Sequence, residues 1–143
     1  MLRQALIGTA AVALTLPIAA RAQEMQGFQT PSHNIFCMAA AADRSTSQPA
    51  FVRCDIREQT SKRPPRPKDC DLDWGDSYSL GLTGPGYLTC HGDTTADTSD
   101  PVLAYGRPWS AYGFTCVVET TGLTCKNGQG HGFFMSKASS RAF

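Results

Sequence analysis

Six cysteines are the residues of this 143-residue chain whose type and number point most specifically to one chemistry, the formation of disulfide bonds. An even number of cysteines in a short exported chain is typical of a disulfide framework. Proximity in sequence favours pairing between neighbours along the chain. It predicts the bridges Cys37–Cys54, Cys70–Cys90 and Cys116–Cys125.

The segment FTCVVETTGLTC at 114–125 carries the strongest local argument for one of these bridges. Two β-type runs flank a turn that ends at Gly122, and a type I turn favours glycine at its last position. With Thr120 and Thr121 at the tip, Cys116 lies opposite Cys125 at a distance that a disulfide accepts. A three-residue tip would instead offset the two cysteines by one position.

The hexapeptide NGQGHG at 127–132 is the second unusual feature. Its three glycines permit positive φ, so His131 at its crest could present an imidazole and free amides to an anionic ligand. The alternative is a tight turn in which His131 bonds to the backbone, because no helix follows to complete a phosphate site. The predicted ligand-binding residues are His131, Asn127, Gly130 and, from the aromatic residues, Trp74.

Alternating aspartates in DCDLDWGDS at 69–77 superficially suggest a calcium loop. An EF-hand counted from Asp69 needs glycine sixth and glutamate twelfth, where this chain has Trp74 and Leu80. A zinc site has less support, because the chain has no CxxC or HExxH and its three histidines are scattered. We therefore expect no metal and no cofactor, and an acidic solvated loop held by Cys70.

Catalysis has no recognisable motif. Ser136, His131 and Asp93 could form a triad only if the fold brought them together, and GxSxG is absent. A cysteine nucleophile would leave an odd number for bridging, so no residue is assigned as catalytic. A small hydrolase or transferase that uses His131 with a carboxylate is the alternative function.

The first 22 residues predict a secretory signal peptide. Arg3 precedes an apolar stretch over 5–20, and Ala20-Arg21-Ala22 is a small-x-small cleavage site. The apolar stretch contains Pro17 and falls short of the roughly 20 residues that span a bilayer. Cleavage near Ala22 would give a secreted or periplasmic protein with no membrane span.

The full chain has 13 basic and 12 acidic residues, and loss of Arg3 and Arg21 with the signal leaves 11 against 12. A nearly neutral protein has no strong general attraction for nucleic acid, so no nucleic-acid partner is expected.

Short β-type runs separated by turn-forming residues dominate the mature chain. They predict strands at 35–38, 51–56, 77–82, 87–91, 102–105, 112–118, 123–126 and 132–135. About eight short strands favour one all-β domain over 23–143, a small sandwich or barrel. Residues 57–68, with three prolines among Lys and Arg, are predicted to form an exposed connection.

Three segments, FQTPSHNIFC at 28–37, RCD at 53–55 and GLTCKNGQGHGFFMS at 122–136, resemble a family of small exported bacterial proteins of unassigned function. The resemblance covers most of the mature chain. It implies a bacterial exported protein with a shared cysteine framework, and it assigns no catalytic residue. The expected function is that of a non-enzymatic, monomeric module that binds an envelope polymer or protein.

Overall fold

A computed structural model describes residues 24–143, so the predicted signal peptide lies outside the described residues. All regular secondary structure in this range is β, which confirms the predicted all-β class. The ten strands are β1 (Met25–Gln29), β2 (Ile35–Ala40), β3 (Phe51–Ile56), β4 (Ser77–Gly81), β5 (Tyr87–Leu88), β6 (Pro108–Ala111), β7 (Phe114–Glu119), β8 (Gly122–Asn127), β9 (Gly132–Met135) and β10 (Ser140–Ala142). Between residues 24 and 143 there is thus no helix that could cross a membrane.

The strands form two antiparallel five-stranded sheets, β1 to β5 and β6 to β10, each in chain order. The sheets pack face to face. Phe28 on β1 contacts Trp109 on β6 with ring centroids 5.0 Å apart. Tyr78 on β4 contacts Phe133 on β9 at 5.9 Å. The arrangement is therefore a sandwich, and not the barrel that the strand pattern also allowed.

One core lies between the sheets. Side chains alternate between the two faces along each strand, and each sheet contributes those that point inward. On β7, Phe114, Cys116 and Val118 are buried while the residues between them are more exposed. On β3 both faces are buried, since residues 91–97 cover its outer side. That covered face carries a polar network that is described below.

The disulfide bonds join Cys37 to Cys54, Cys70 to Cys90 and Cys116 to Cys125, the pairs expected from sequence proximity. The first and third link opposed residues on neighbouring strands, with Cα separations of 4.0 and 4.1 Å. The hairpin between β7 and β8 has Thr120 and Thr121 at its tip, as predicted. The remaining bridge attaches Cys70, after the proline-rich segment, to Cys90, beyond β5.

Some strand predictions were wrong. Residues 102–105 form no strand, and Val102 makes only one bridge, to Gln29. The chain leaves β1 after Leu103 and crosses to the second sheet, where the amide of Gly106 donates to the carbonyl of Val118. The predicted strand at 87–91 is limited to Tyr87–Leu88. Strands β1, β6 and β10 were not predicted.

Candidate functional site

A cleft of about 550 Å³ lies at one end of the sandwich, where the end of one sheet meets the end of the other sheet. In the first sheet its lining comes from the turn between β1 and β2 and from the residues after β3. In the second sheet it comes from the tip of the β7–β8 hairpin and the turn between β9 and β10. Because neighbouring antiparallel strands begin and end at the same edge, these turns gather at one end of the sandwich. The volume is typical of a small-molecule or short-polymer site.

The wall of the cleft in the first sheet is braced by internal hydrogen bonds. The Asn34 amide donates to the Glu58 carbonyl at 2.9 Å and accepts from the Glu58 amide at 2.8 Å. His33, which has a φ of 53°, lies 2.7 Å through Nδ1 from Oε1 of Gln29. The side chains of Asn34 and His33 are thus committed to positioning the turn and the end of β3, while the exposed guanidinium of Arg57 lies over the Phe36 ring, 4.9 Å from its centroid.

A salt bridge joins the two sheets across the cleft. Lys137 Nζ lies 3.0 Å from the Glu58 carboxylate, and the amide of Thr60 donates to the Lys137 carbonyl at 2.7 Å. Both charged side chains are exposed, so the salt bridge contributes little stability. The backbone hydrogen bond between Thr60 and Lys137 is therefore the contact that sets the distance between the walls at this point.

The opposite wall presents polar side chains without internal partners. Tyr105, Glu119, Thr120 and Thr121 line the cleft. Within residues 24–143 none of their side chains makes a hydrogen bond or an ion pair to another part of the protein. Tyr105 is 49% exposed. These hydroxyl and carboxylate groups are therefore available to a bound molecule.

A buried polar network occupies the covered outer face of β3. Asp55 accepts from Nε and Nη2 of Arg53, both at 3.0 Å. It also accepts from the Ser77 hydroxyl at 2.6 Å and the Thr95 amide at 2.8 Å. Arg53 in turn donates to the carboxylate of Asp93 at 2.7 Å. The network fastens the covering segment 91–97 to the sheet.

His91 extends this network through both ring nitrogens. Nε2 lies 3.0 Å from the Asp76 carboxylate, and Nδ1 lies 2.7 Å from the Asp93 carbonyl. Burial favours the neutral ring, but the hydrogen bonds to Asp76 and Asp93 outweigh that effect and hold the pKa of His91 above its ordinary value of 6.5. Among more distant groups, the Asp55 charge raises this pKa and the Arg53 charge lowers it. His91 is thus more basic in the folded protein than an exposed histidine.

This shift predicts a pH dependence of stability. Because the pKa of His91 is raised on folding, its stabilising contribution is fully present below 6.5 and is lost as pH rises through the folded-state pKa. We expect the free energy of unfolding to fall across that window. Urea unfolding between about pH 5 and about pH 9 measures it. His91→Gln should flatten the profile there, whereas the control His131→Gln should keep it, and an identical profile for His91→Gln would contradict the assignment.

The predicted ligand-binding turn is held mainly by one asparagine. Asn127 is buried, and its amide nitrogen donates to the carbonyls of Gly81 and Gly84, both at 3.0 Å. Its side-chain oxygen accepts from the amides of Gln129 and His131. Gly130 has a φ of 82°, which favours glycine there. Asn127 therefore positions the turn, and it attaches the turn to the loop that follows β4.

His131 is exposed, and in the described part of the chain its imidazole has no hydrogen-bond or ion-pair partner. Trp74 is half-buried in the loop before β4, and its Nε1 has no hydrogen-bond partner within residues 24–143. None of the four predicted residues lines the cleft. Their role in binding stays a prediction.

The possible triad residues lie in different places. Ser136 lines the cleft and donates to the Ser139 carbonyl at 2.9 Å. Asp93 is paired with Arg53, and His131 is in the turn between β8 and β9. Within residues 24–143, no group of three or more His, Cys, Asp or Glu side chains is arranged to hold a metal ion.

Among the residues that line the cleft, Ser136 was considered as a possible triad residue, but none was predicted to bind a ligand. Thr120 and Thr121 were placed at a hairpin tip, and Lys137 and Tyr105 carried no motif. These residues all lie near strand ends. The sequence indicates where an individual strand ends, but it does so for one strand at a time. Which strand ends meet is set by the packing of one sheet on the other.

The fold and the cleft define a disulfide-linked, all-β sandwich with a polar cleft at one end. The chain matches the model of a family of unknown function, DUF6636, over residues 8–143, and it belongs to that family. No curated protein and no solved structure matches it. The membership agrees with the resemblance found in the sequence.

Proposed function

We propose that this chain is an exported bacterial module that binds a component of the cell envelope without chemical turnover, and that it holds this component in the cleft between the sheet ends. The observation that carries the proposal is the contrast between the two walls. One wall is braced by its own hydrogen bonds, whereas Tyr105, Glu119, Thr120 and Thr121 leave their polar groups free. A rigid frame with unpartnered groups on one side suits binding, because little order is lost when a ligand enters.

The disulfide bonds and the N-terminal sequence support export. Three disulfides are compatible with an oxidising extracellular environment. Residues 1–22 have the charge, apolar stretch and small-x-small site of a cleavable signal. We propose cleavage near Ala22, which gives a secreted or periplasmic monomer.

A double substitution in the free wall tests the cleft. The oxidised protein without residues 1–22 is immobilised and exposed to the soluble glycan fraction and, separately, the protein fraction of an envelope extract. Tyr105→Ala with Thr121→Ala should weaken retention of the captured component about thirtyfold, since each of the two contacts contributes on the order of 1 kcal/mol.

The matched control is Tyr87→Ala with Thr83→Ala, because Tyr87 is 54% exposed and lies outside the cleft. This control should retain the component as the parent does. Equal retention by the cleft variant would reject the cleft as the site. Conversion of the component by the parent, abolished by His131→Ala, would instead favour a hydrolase or transferase.

A further inference from the structure

The proline-rich segment between β3 and β4 carries cations that have no ion-pair partner among residues 24–143. We name residues 61–68, with the sequence SKRPPRPK, the cationic strap. Lys62, Arg66 and Lys68 are all exposed. Within residues 24–143 none of the three forms a salt bridge, whereas Arg63 is paired with Asp76 at 3.2 Å. The strap therefore concentrates positive charge on a protein that, without residues 1–22, has 11 basic residues against 12 acidic ones.

The strap is restricted to an extended conformation by its own sequence. Proline fixes φ, and a residue before proline is driven out of the helical region. Arg63, Pro64, Pro65, Arg66 and Pro67 are each a proline or precede one, so the five together favour a polyproline II conformation. The strap forms no sheet in the structure, which agrees with this restriction.

Contacts at both ends and in the middle hold the strap against the sandwich. Before it, the amide of Thr60 donates to the Lys137 carbonyl at 2.7 Å. After it, the disulfide from Cys70 fixes the chain to Cys90. In the middle, Arg63 Nη1 donates to the Trp74 carbonyl. The aliphatic part of the Arg63 side chain also packs closely on Gly75, which has a φ of 96°. A Cβ added to Gly75 would lie only 2.9 Å from the Arg63 Cβ. The charges are therefore carried on a pre-ordered support.

Burial shows which side of the strap faces outward. Ser61 and Pro67 are its only half-buried residues, and they lie two polyproline II turns apart. At about 3.1 Å per residue, Lys62 and Arg66 are separated by about 12 Å. Lys68 follows in the turn over residues 67–70, where the amide of Cys70 donates to the carbonyl of Pro67 at 3.2 Å. The exposed side of the strap thus presents a row of two cations with a third at its end. Since Pro67 faces inward, the strap is poorly arranged as a ligand for a proline-binding domain.

We propose that the cationic strap binds a linear anionic polysaccharide. The strap has no aromatic residue on which nucleic-acid bases could stack and no aliphatic side chain that could enter a lipid layer. Cations spaced along an extended, anchored segment match a polymer with acidic groups at intervals along its chain. This proposal rests on the proposed function, because it requires export to the envelope, and it names the class of envelope component. Separate variants test the strap and the cleft.

The test uses polygalacturonate as the anionic polysaccharide and dextran as a neutral one, with affinity measured by calorimetry on the oxidised protein. The parent should bind polygalacturonate, and not dextran, with an affinity that falls steeply between about 50 and about 200 mM salt. Lys62→Gln with Arg66→Gln and Lys68→Gln should lower that affinity at least tenfold. The control, Arg44→Gln with Arg107→Gln and Lys126→Gln, removes the same charge from other exposed positions and should lower it less than twofold.

Equal losses in the strap variant and the control would overturn the inference, as would the absence of polygalacturonate binding by the parent. Tighter binding to poly-glutamate or to phosphatidylglycerol vesicles would overturn the choice of a polysaccharide. The cleft variant Tyr105→Ala with Thr121→Ala separates the two proposals. If that variant loses polygalacturonate and the strap variant does not, the strap fails while the cleft stands.

Discussion

Reduction of the three disulfide bonds should unfold this protein near body temperature. The bridges close loops with sequence separations of 17, 20 and 9 residues that do not overlap. The loop-entropy relation gives roughly 2.6 to 3.3 kcal/mol for each and about 9 kcal/mol together, as an upper figure. Because the free energy of unfolding of a typical domain is only about 5–15 kcal/mol, loss of the three bridges removes most of the stability.

The measurement is urea unfolding of the oxidised protein and of the protein in a reducing agent, followed by near-ultraviolet circular dichroism. The variant Cys70→Ala with Cys90→Ala should lose about 3 kcal/mol, since Cys90 is exposed and the main effect is loop closure. Cys37→Ala with Cys54→Ala should lose more, because both residues are fully buried and leave space in the core. A reduced sample with the native spectrum and an unchanged unfolding midpoint would contradict the prediction.

Asp55→Ala should destabilise the fold by about 3–5 kcal/mol, the usual cost of removing one partner from a buried ion pair. The Asp55 side chain is 9% exposed, and the Arg53 side chain is 10% exposed. Without Asp55, the guanidinium keeps only Asp93 as a carboxylate partner. The amide of Thr95 also loses the acceptor to which it donates at 2.8 Å.

Asp93→Ala is the matched control, because it removes a carboxylate from the same guanidinium at a site where the side chain is 76% exposed. We expect a loss of about 1 kcal/mol or less, as for other exposed ion pairs. Both variants are compared with the parent by urea unfolding at neutral pH. Equal losses for Asp55→Ala and Asp93→Ala would show that burial of the pair has no energetic consequence.

The local features of the fold could be predicted from the sequence because they depend on neighbouring residues. The β7–β8 hairpin followed from a turn with Gly122 at its end and from alternating apolar residues on both sides. Its register then placed Cys116 opposite Cys125, as the structure has them. The exposure of the 57–68 segment also followed from its prolines and charges.

The strands that were missed or misplaced depend on distant contacts. Val102 and Leu103 suit a strand by type, but the chain runs beside β1 only briefly before it crosses to β7. β1 is exposed at its start, and it pairs with β2 over five residues. β10 is short and has little buried surface, so no apolar pattern marks it.

Burial was predicted less well than strand position. Because large aromatic rings supply scarce apolar burial in a small β domain, the sequence predicts a core that contains Phe36, Phe51, Phe114, Phe134, Trp109 and Tyr112. Phe36 and Phe114 are buried, whereas the other four are only half-buried. Phe28 is among the largest fully buried side chains and was not expected in the core. Its position follows from its contact with Trp109 across the sheets, which is a long-range effect.

The candidate site lay beyond sequence reasoning for the same reason. The cleft exists because turns from two separate sheets meet. The polar network exists because residues 91–97 cover a strand whose alternation alone would leave Arg53 and Asp55 in solvent. Neither arrangement has a local sequence signal.

The central claim is that a bound envelope component occupies the cleft between the sheet ends. Two-dimensional NMR of the nitrogen-15-labelled, oxidised protein, titrated with the captured component, tests it most directly. We predict that the amide signals that shift will cluster at Thr30 and at residues 32–35, 118–122 and 136–138, which line the cleft. Shifts confined to the turn at 127–132, with no change at the cleft, would contradict the claim.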